Sequence, residues 1–229
     1  MIKNIKLKSG RAEGLPQETV EVMPITVFVG PNNSGKSMIL SEIQRFCFDG
    51  GKNVNNLIVD SIELEAISEE LIEERIKSVT LKPDPGKVQQ PDNIFVGKQG
   101  QRHEVNLNTF LNAFKNPNED PFFICSWYLS YNTLILDGSN RINLIKPQSG
   151  GNLKQPAQSS FQVLFHDNNK RKEVSRIIHD AFGKHLVIDP TNLGWLNLRL
   201  SKDAPQDEME ERGIHEKAVE FHKKALPIT

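Results

Sequence analysis

The first residues mix apolar Ile2, Ile5 and Leu7 with lysines, a pattern that predicts an edge-type strand over 2–8. "TVEVM" at 19–23 predicts a second short strand. The next stretch, "ITVFV" at 25–29, is β-branched or aromatic throughout, as a strand buried on both faces requires. From Gly35 the apolar period lengthens. Ile39, Ile43, Phe46 and Cys47 fall on one face of a helix, and Gly50 and Gly51 supply its stop.

Further along, 57–64 reads as a strand and 68–76 as a short helix, with Ser68 as its cap and acids in its first turn. Residues 82–104 are rich in Pro, Gly, Gln and Asn and predict a surface loop holding a short strand, "IFV". Leu107, Phe110, Leu111 and Phe114 are helically spaced, while "FFICSWYL" and "TLIL" look like strands. A second polar loop covers 147–160. After it come two helical patterns: Phe161 to Phe165, then Val174, Ile177, Ile178 and Ala181 with Gly183 as the stop. "HLVID" and "LNLRL" predict strands. "DEMEERGIHEKAVEFHKKA" predicts one amphipathic helix with Ile214, Ala218, Phe221 and Ala225 on one side. Strands and helices are mixed without internal repeat, which argues for an α/β or α+β class.

Composition adds bounds rather than direction. The net charge is -1, so no basic or acidic excess points to a polyanionic or acidic partner. Apolar residues at 37% and charged residues at 25% fit a globular chain long enough to bury a core. Cys47 and Cys125 sit in apolar runs and read as buried thiols in a reducing compartment. No apolar run approaches the roughly 18 residues of a membrane span, and the N-terminus lacks the apolar core of a signal peptide. The expectation is a cytoplasmic protein with no membrane partner.

Chemistry enters at "GPNNSGKS". Gly30-Pro31-Asn32-Asn33-Ser34-Gly35-Lys36-Ser37 fits G-x-x-x-x-G-K-[ST] at every fixed position, between a predicted strand and a predicted helix. The two glycines let the backbone curl until successive N–H groups point inward at phosphate oxygens. The helix start adds its positive dipole end. This makes Gly30, Asn32, Asn33, Ser34, Gly35, Lys36, Ser37 and Met38 the expected nucleotide-binding set. Lys36 supplies a mobile charge to the β- and γ-phosphates and is the candidate catalytic residue. The Ser37 hydroxyl is the candidate magnesium ligand, filling one position of the octahedral Mg²⁺ shell.

The same letters, with Pro-Asn-Asn after the first Gly, resemble the Walker A loop of ABC-type ATPases of the SMC, RecF and OLD-nuclease kind. "IKNIKLKSGRA" is similar to their opening strand and basic turn. The motif similarity covers about residues 1–48. It implies an α/β fold: a P-loop NTPase lobe with an N-terminal antiparallel strand pair and an α+β intervening region. On this view 1–229 is a single lobe, with 82–104 and 147–160 as surface loops. The resemblance further implies ATP and Mg²⁺ as ligands and Arg11 as a neighbour of the base or phosphate, though a solvated turn arginine is the simpler reading. It implies head-to-tail pairing with a second ATPase subunit, and DNA as a partner in the full assembly.

That family follows four apolar residues with Asp-Glu, the second magnesium anchor and the water-polarising acid. Here Asp60, Asp137 and Asp189 end apolar runs without a following Glu, and each reads more simply as a strand end. Asp137 and Asp189 are the alternatives if the chain holds its own anchor, and Gln148, Gln155 and Gln162 are equivalent candidates for a contact to metal and water. No Ser-Gly signature helix is recognisable. The expectation is the N-terminal portion of a longer or split ATPase, acting as a nucleotide switch in DNA maintenance or phage defence. The competing reading is a stand-alone nucleotide or small-molecule kinase, which needs clustered arginines around the transferred phosphoryl group; here arginines are spread thinly. A third is a module that binds nucleotide without turning it over. "HEKAVEFH" misses the H-E-x-x-H zinc pattern because Val219 stands where the second His belongs. The basic run 169–176 reads as a solvated helix face before it reads as a nucleic-acid contact.

Overall fold

The computed structural model describes residues 1–8, 16–52, 55–83, 90–98, 101–152 and 157–228. They group into two compact units, one built from Met1–Lys98 and Arg102–Leu134, the other from Ile135 onward. Both mix helices with small sheets, and every strand pairing described is antiparallel.

In the first unit β1 (Ile2–Leu7) is the centre of a three-stranded sheet, flanked by β2 (Thr19–Glu21) and β3 (Val59–Leu64). Ile5 faces Val20 on one side and Ile62 on the other, which places it in the core at 2% exposure. The expected N-terminal antiparallel pair is therefore present. Against this sheet lies α1 (Lys36–Asp49), its Ile39, Phe46 and Cys47 buried and Ile43 packed beside them. Gly50 ends the helix at φ 67, where its N–H bonds the Phe46 carbonyl. A side chain there would lie 2.6 Å from the Phe122 backbone nitrogen, so the stop doubles as a close helix contact.

α2 (Glu69–Val79) follows, with Ser68 at the cap position but without a side-chain capping bond. Next come β4 (Thr80–Leu81), β5 (Asn93–Lys98) and β6 (Gln101–Asn106), a three-stranded sheet in the order β4-β5-β6. Of the expected surface loop, 84–89 and 99–100 lie outside the described residues, while 93–98 and 101–104 belong to β5 and β6, with Phe95 and Val96 in the core. α3 (Leu107–Lys115) buries Phe110 and Phe114 as its spacing predicts, with Asn106 capping the Thr109 N–H.

The "FFICSWYL" segment is helical, not a strand. Asp120 accepts from the Phe122 N–H, and Pro121 occupies the first turn of α4 (Pro121–Ile124). A π-helical turn (Cys125–Leu129) leads into α5 (Ser130–Asn132). The aromatic run suggested β structure, but a cap, a proline and burial of Ile124, Cys125 and Leu129 on one side decide for helix. Burial, with Cys47 and Asp49 nearby, pushes the Cys125 thiol up to about 12, so it stays protonated and unreactive. "TLIL" forms no strand either: Leu134 and Leu136 are exposed and irregular.

In the second unit α6 (Gly138–Ile145) starts at an Asp137 cap and buries no residue. β7 (Gln148–Ser149), α7 (Ser160–His166) and α8 (Asn168–Phe182) precede β8 (His185–Asp189) and β9 (Trp195–Ser201). β8 runs along β9 from His185↔Ser201 to Asp189↔Asn197, while β7 pairs with the start of β9. The C-terminal amphipathic pattern breaks into α9 (Glu208–Arg212) and α10 (Glu216–Lys224), followed by β10 (Leu226–Pro227), which pairs with the far end of β9. Gly213 leaves the helical path at ψ 164, and Ile214 is exposed rather than on the buried face.

Glu42 ties α1 to β3. Its carboxylate is 1% exposed and accepts from the backbone N–H groups of Leu57 (2.6 Å), Ile58 (3.1 Å) and Val59 (2.8 Å). Burial alone would raise its pKa; the Val59, Leu57 and Ile58 donors outweigh it and hold the group below the usual carboxylate value. A depressed folded value means that the stabilisation is full above the unfolded pKa, roughly 4.3, and is lost as pH falls through the folded value. Glu42→Gln is expected to lose about 1–3 kcal/mol in urea unfolding at pH 7, with the gap to the parent chain closing on acidification. A gap that persists undiminished at acid pH would show that the charge is not what holds the two elements together.

Candidate functional site

The segment between β2 and α1 carries the expected binding residues. Gly30 to Ser34 form a tight turn in which the Ser34 N–H bonds the Pro31 carbonyl at 3.3 Å. Two residues leave the ordinary backbone region: Asn33 at φ 65 and Gly35 at φ 85. Asn tolerates this conformation better than most residues, and Gly adopts it freely. Gly35 is the cap position of α1, and its carbonyl accepts the first helical bond from Ile39 at 2.9 Å. Gly30 leaves room for the Ser34 side chain. A side chain there would meet Ser34 Oγ at 2.7 Å.

Lys36 folds back over the turn. Its Nζ donates to the carbonyl oxygens of Pro31 (2.6 Å) and Gly30 (2.9 Å), with Ser34 Oγ at 3.4 Å. The ammonium therefore sits over the Gly30–Ser34 turn. Ser37, in the first turn of α1, is exposed, and no hydrogen bond engages its hydroxyl among the described residues. Asn32 and Asn33 are exposed on the rim, and Met38 is 41% exposed beside them. Gly30, Asn32, Asn33, Ser34, Gly35, Lys36, Ser37 and Met38 are thus contiguous on one exposed turn and helix start. Arg11 lies outside the described residues.

The stretch before the loop departs from expectation. Residues 25–29 are not in a sheet: Ile25 is 83%, Val27 72% and Val29 85% exposed, and Phe28 alone packs on the core. Among the described residues, no hydrogen bond engages the backbone of Ile25, Val27, Phe28 or Val29. The composition of a doubly buried strand is there without the neighbours that would bury it.

The acids at the ends of apolar runs are otherwise occupied. Asp60 lies 3.7 Å from the Lys6 ammonium. Asp137 caps α6, accepting from Asn140 N at 2.7 Å. Asp189 is buried and accepts from the Thr191 N–H and hydroxyl and from Arg199 Nε. Burial would raise its pKa, but the Thr191 and Arg199 contacts hold it below the usual range. Gln162 is a brace as well: its amide donates to the Ser149 carbonyl and accepts from the Gln158 N–H. The Gln148 side-chain oxygen is buried without a partner, and Gln155 lies outside the described residues. The residue that sequence reasoning missed is Glu42. Its only signal was a charged residue within the apolar face of α1.

Similar in sequence are the ABC transporter B family members 13 and 14 of Arabidopsis thaliana, 29% and 28% identical over 116 residues. Each match covers 51% of this chain but only 9% of the transporter. No family model and no solved structure matches the chain. The likeness supports an ABC-type P-loop ATPase in general; it does not single out the SMC, RecF and OLD branch. No helix among the described residues is long and apolar enough to cross a membrane.

The loop conformation is testable through Gly35. An L-residue in the left-handed region costs roughly 1–2 kcal/mol. The added Cβ would also approach Ile58 Cδ1 at 2.6 Å, the far end of a side chain that can turn aside. Gly35→Ala is expected to lower stability by roughly that backbone cost in urea unfolding of the full chain; an unchanged midpoint would mean that the loop is not held in this form.

Proposed function

We propose that this chain is the ATP–Mg²⁺ binding lobe of an ABC-type ATPase, and that another polypeptide segment completes its catalytic site. The observation that carries the reading is the turn of Gly30–Ser34 delivered onto the start of α1, with the Lys36 ammonium over it and Ser37 in the first helical turn. Phosphate oxygens would take over the acceptor role that the Gly30 and Pro31 carbonyls now play for Lys36. Backbone N–H groups and the helix N-terminus would surround the remaining oxygens. The exposed Ser37 hydroxyl would enter the magnesium shell.

Support for a completing segment comes from residues 25–29. Three exposed β-branched side chains forgo roughly 1.5–3 kcal/mol each relative to burial. Their unpaired backbone groups offer a strand edge directly before the loop. A partner strand laid there would bury both at once, and could bring the acid that activates water. The resemblance of "GPNNSGKS" to SMC, RecF and OLD-type loops supports reading such an assembly as an ATP-driven switch in DNA maintenance or phage defence. A stand-alone kinase is the competing reading.

Calorimetry with ATP and magnesium is expected to give saturable binding to the 229-residue chain, at least about tenfold weaker in Lys36→Ala, since a charge-assisted hydrogen bond contributes roughly 1.5–3 kcal/mol. No heat of binding at millimolar ATP would sink the proposal. The same chain is expected to release little phosphate by itself; steady turnover would remove the need for a partner. Phosphate transferred to an added nucleoside monophosphate would favour the kinase.

A further inference from the structure

Within the second unit, α8 and the segment 204–211 face each other across a cleft of about 450 Å³. That falls within the roughly 300–1,000 Å³ of small-ligand sites. One wall carries two cations and two imidazoles. Lys172, Arg176 and His179 recur at helical spacing on α8, and His185 opens β8 beside them. The two imidazoles stack with centroids 4.5 Å apart.

The opposite wall carries Asp207, Glu208 and Glu211, but these charges are already matched. Asp207 pairs with Lys217 at 3.1 Å, Glu208 with Arg212 at 2.8 Å and Glu211 with Arg171 at 2.8 Å. The cations are not matched to the same degree. Lys172 makes no ion pair or hydrogen bond among the described residues, and Arg176 meets Asp180 at 3.5 Å on a well-exposed stretch. His179 lies 3.9 Å from the same Asp180. The balance inside the cleft is therefore positive on the α8 side.

The geometry points to a binding site for a small phosphorylated molecule, its phosphate held between Lys172, Arg176 and the His179–His185 pair. A dianionic phosphate accepts several donors at once, and a guanidinium with an ammonium supplies the charge-assisted ones. An extended polyanion would run on past Asp207, Glu208 and Glu211, where Lys217, Arg212 and Arg171 are already engaged and leave no spare cation to hold it. Their remaining lone pairs suit ligand hydroxyl groups. The basic run that the sequence offered to nucleic acid is also dispersed by the fold: Arg171 is 3% exposed and tied to Glu211, and Lys170 leans onto Asp167 at 3.6 Å.

The test uses the full chain carrying Lys36→Ala, so that the loop of the first unit does not contribute. Inorganic phosphate is titrated while the imidazole NMR signals of His179 and His185 are followed, with acetate and a single-stranded oligonucleotide as parallel arms. Expected are saturable shifts of both histidines at millimolar phosphate, absent with acetate. They should weaken at least tenfold when Lys172→Ala and Arg176→Ala are added, both exposed positions whose loss leaves the fold intact. Shifts that do not saturate, or that survive the double substitution, overturn the proposal. So does acetate binding as well as phosphate, or an oligonucleotide binding the same histidines more tightly than phosphate.

Discussion

Glu42 stands where the first unit must reconcile a helix with the strand behind it. A carboxylate at 1% exposure is costly unless its lone pairs are filled, and three successive backbone N–H groups at Leu57, Ile58 and Val59 fill them. Leu57 and Ile58 lead into β3 and Val59 opens it. The carboxylate and the amides thus solve each other's desolvation. The result fixes the axis of α1 against the sheet, and the axis of α1 fixes where its N-terminus points. Gly35, Lys36 and Ser37 form that N-terminus, so the aim of the proposed phosphate loop is set six residues beyond its lysine, inside the core.

The exposed stretch at 25–29 is the counterpart of that order. On the same segment of chain, Phe28 is held by the core while Ile25, Val27 and Val29 face outward. A monomeric surface tolerates single apolar side chains, but three in alternation beside unpaired backbone groups form a template for strand addition. The loop that follows begins at Gly30 with no ladder to anchor it on this side. Its shape rests on local terms alone: the positive φ of Asn33 and Gly35, the Ser34–Pro31 turn bond and the Lys36 clasp. A strand added at 25–29 would stiffen the loop from its other end.

What the sequence made legible was local. The turn into a helix at Gly30–Ser37, the glycine stops at Gly50 and Gly183, and the faces of α1 and α3 follow from period and cap chemistry, which act over a few residues. The failures share a cause. "FFICSWYL" has strand composition, but Asp120 and Pro121 start a helix, and the buried side of that helix is defined only by tertiary packing. "ITVFV" has the composition of a central strand, a property of neighbours that the described residues do not supply. The last helical pattern runs through Gly213, but the chain turns out of the helix there, at a position where a side chain would lie 2.2 Å from the Met209 carbonyl. Glu42 was illegible since its partners are backbone amides, which carry no letter in a sequence.

Binding and turnover therefore separate on physical grounds. A phosphate grip is assembled from eight consecutive residues, so it survives in any chain that folds this one turn and helix start. Hydrolysis needs a carboxylate free to polarise water at about hydrogen-bond distance from the γ-phosphate, brought from elsewhere in the sequence. Around α1 and the β2-β1-β3 sheet three acids are committed, Glu42 to backbone amides, Asp60 to Lys6, and Glu63 to Lys3 and Asn4, while Glu21 on β2 makes no ion pair or hydrogen bond among the described residues. Releasing Glu42 would unfasten α1 from β3, and the loop with it. Asp60 and Glu63 are surface pairs, whose release is inexpensive, but they are fixed by the β1–β3 register and not by the loop. On the proposed reading, the turn and helix start would hold the polyanion while Glu42, Asp60 and Glu63 maintain the fold, as a nucleotide-binding lobe that needs a second surface to bring its catalytic acid would require.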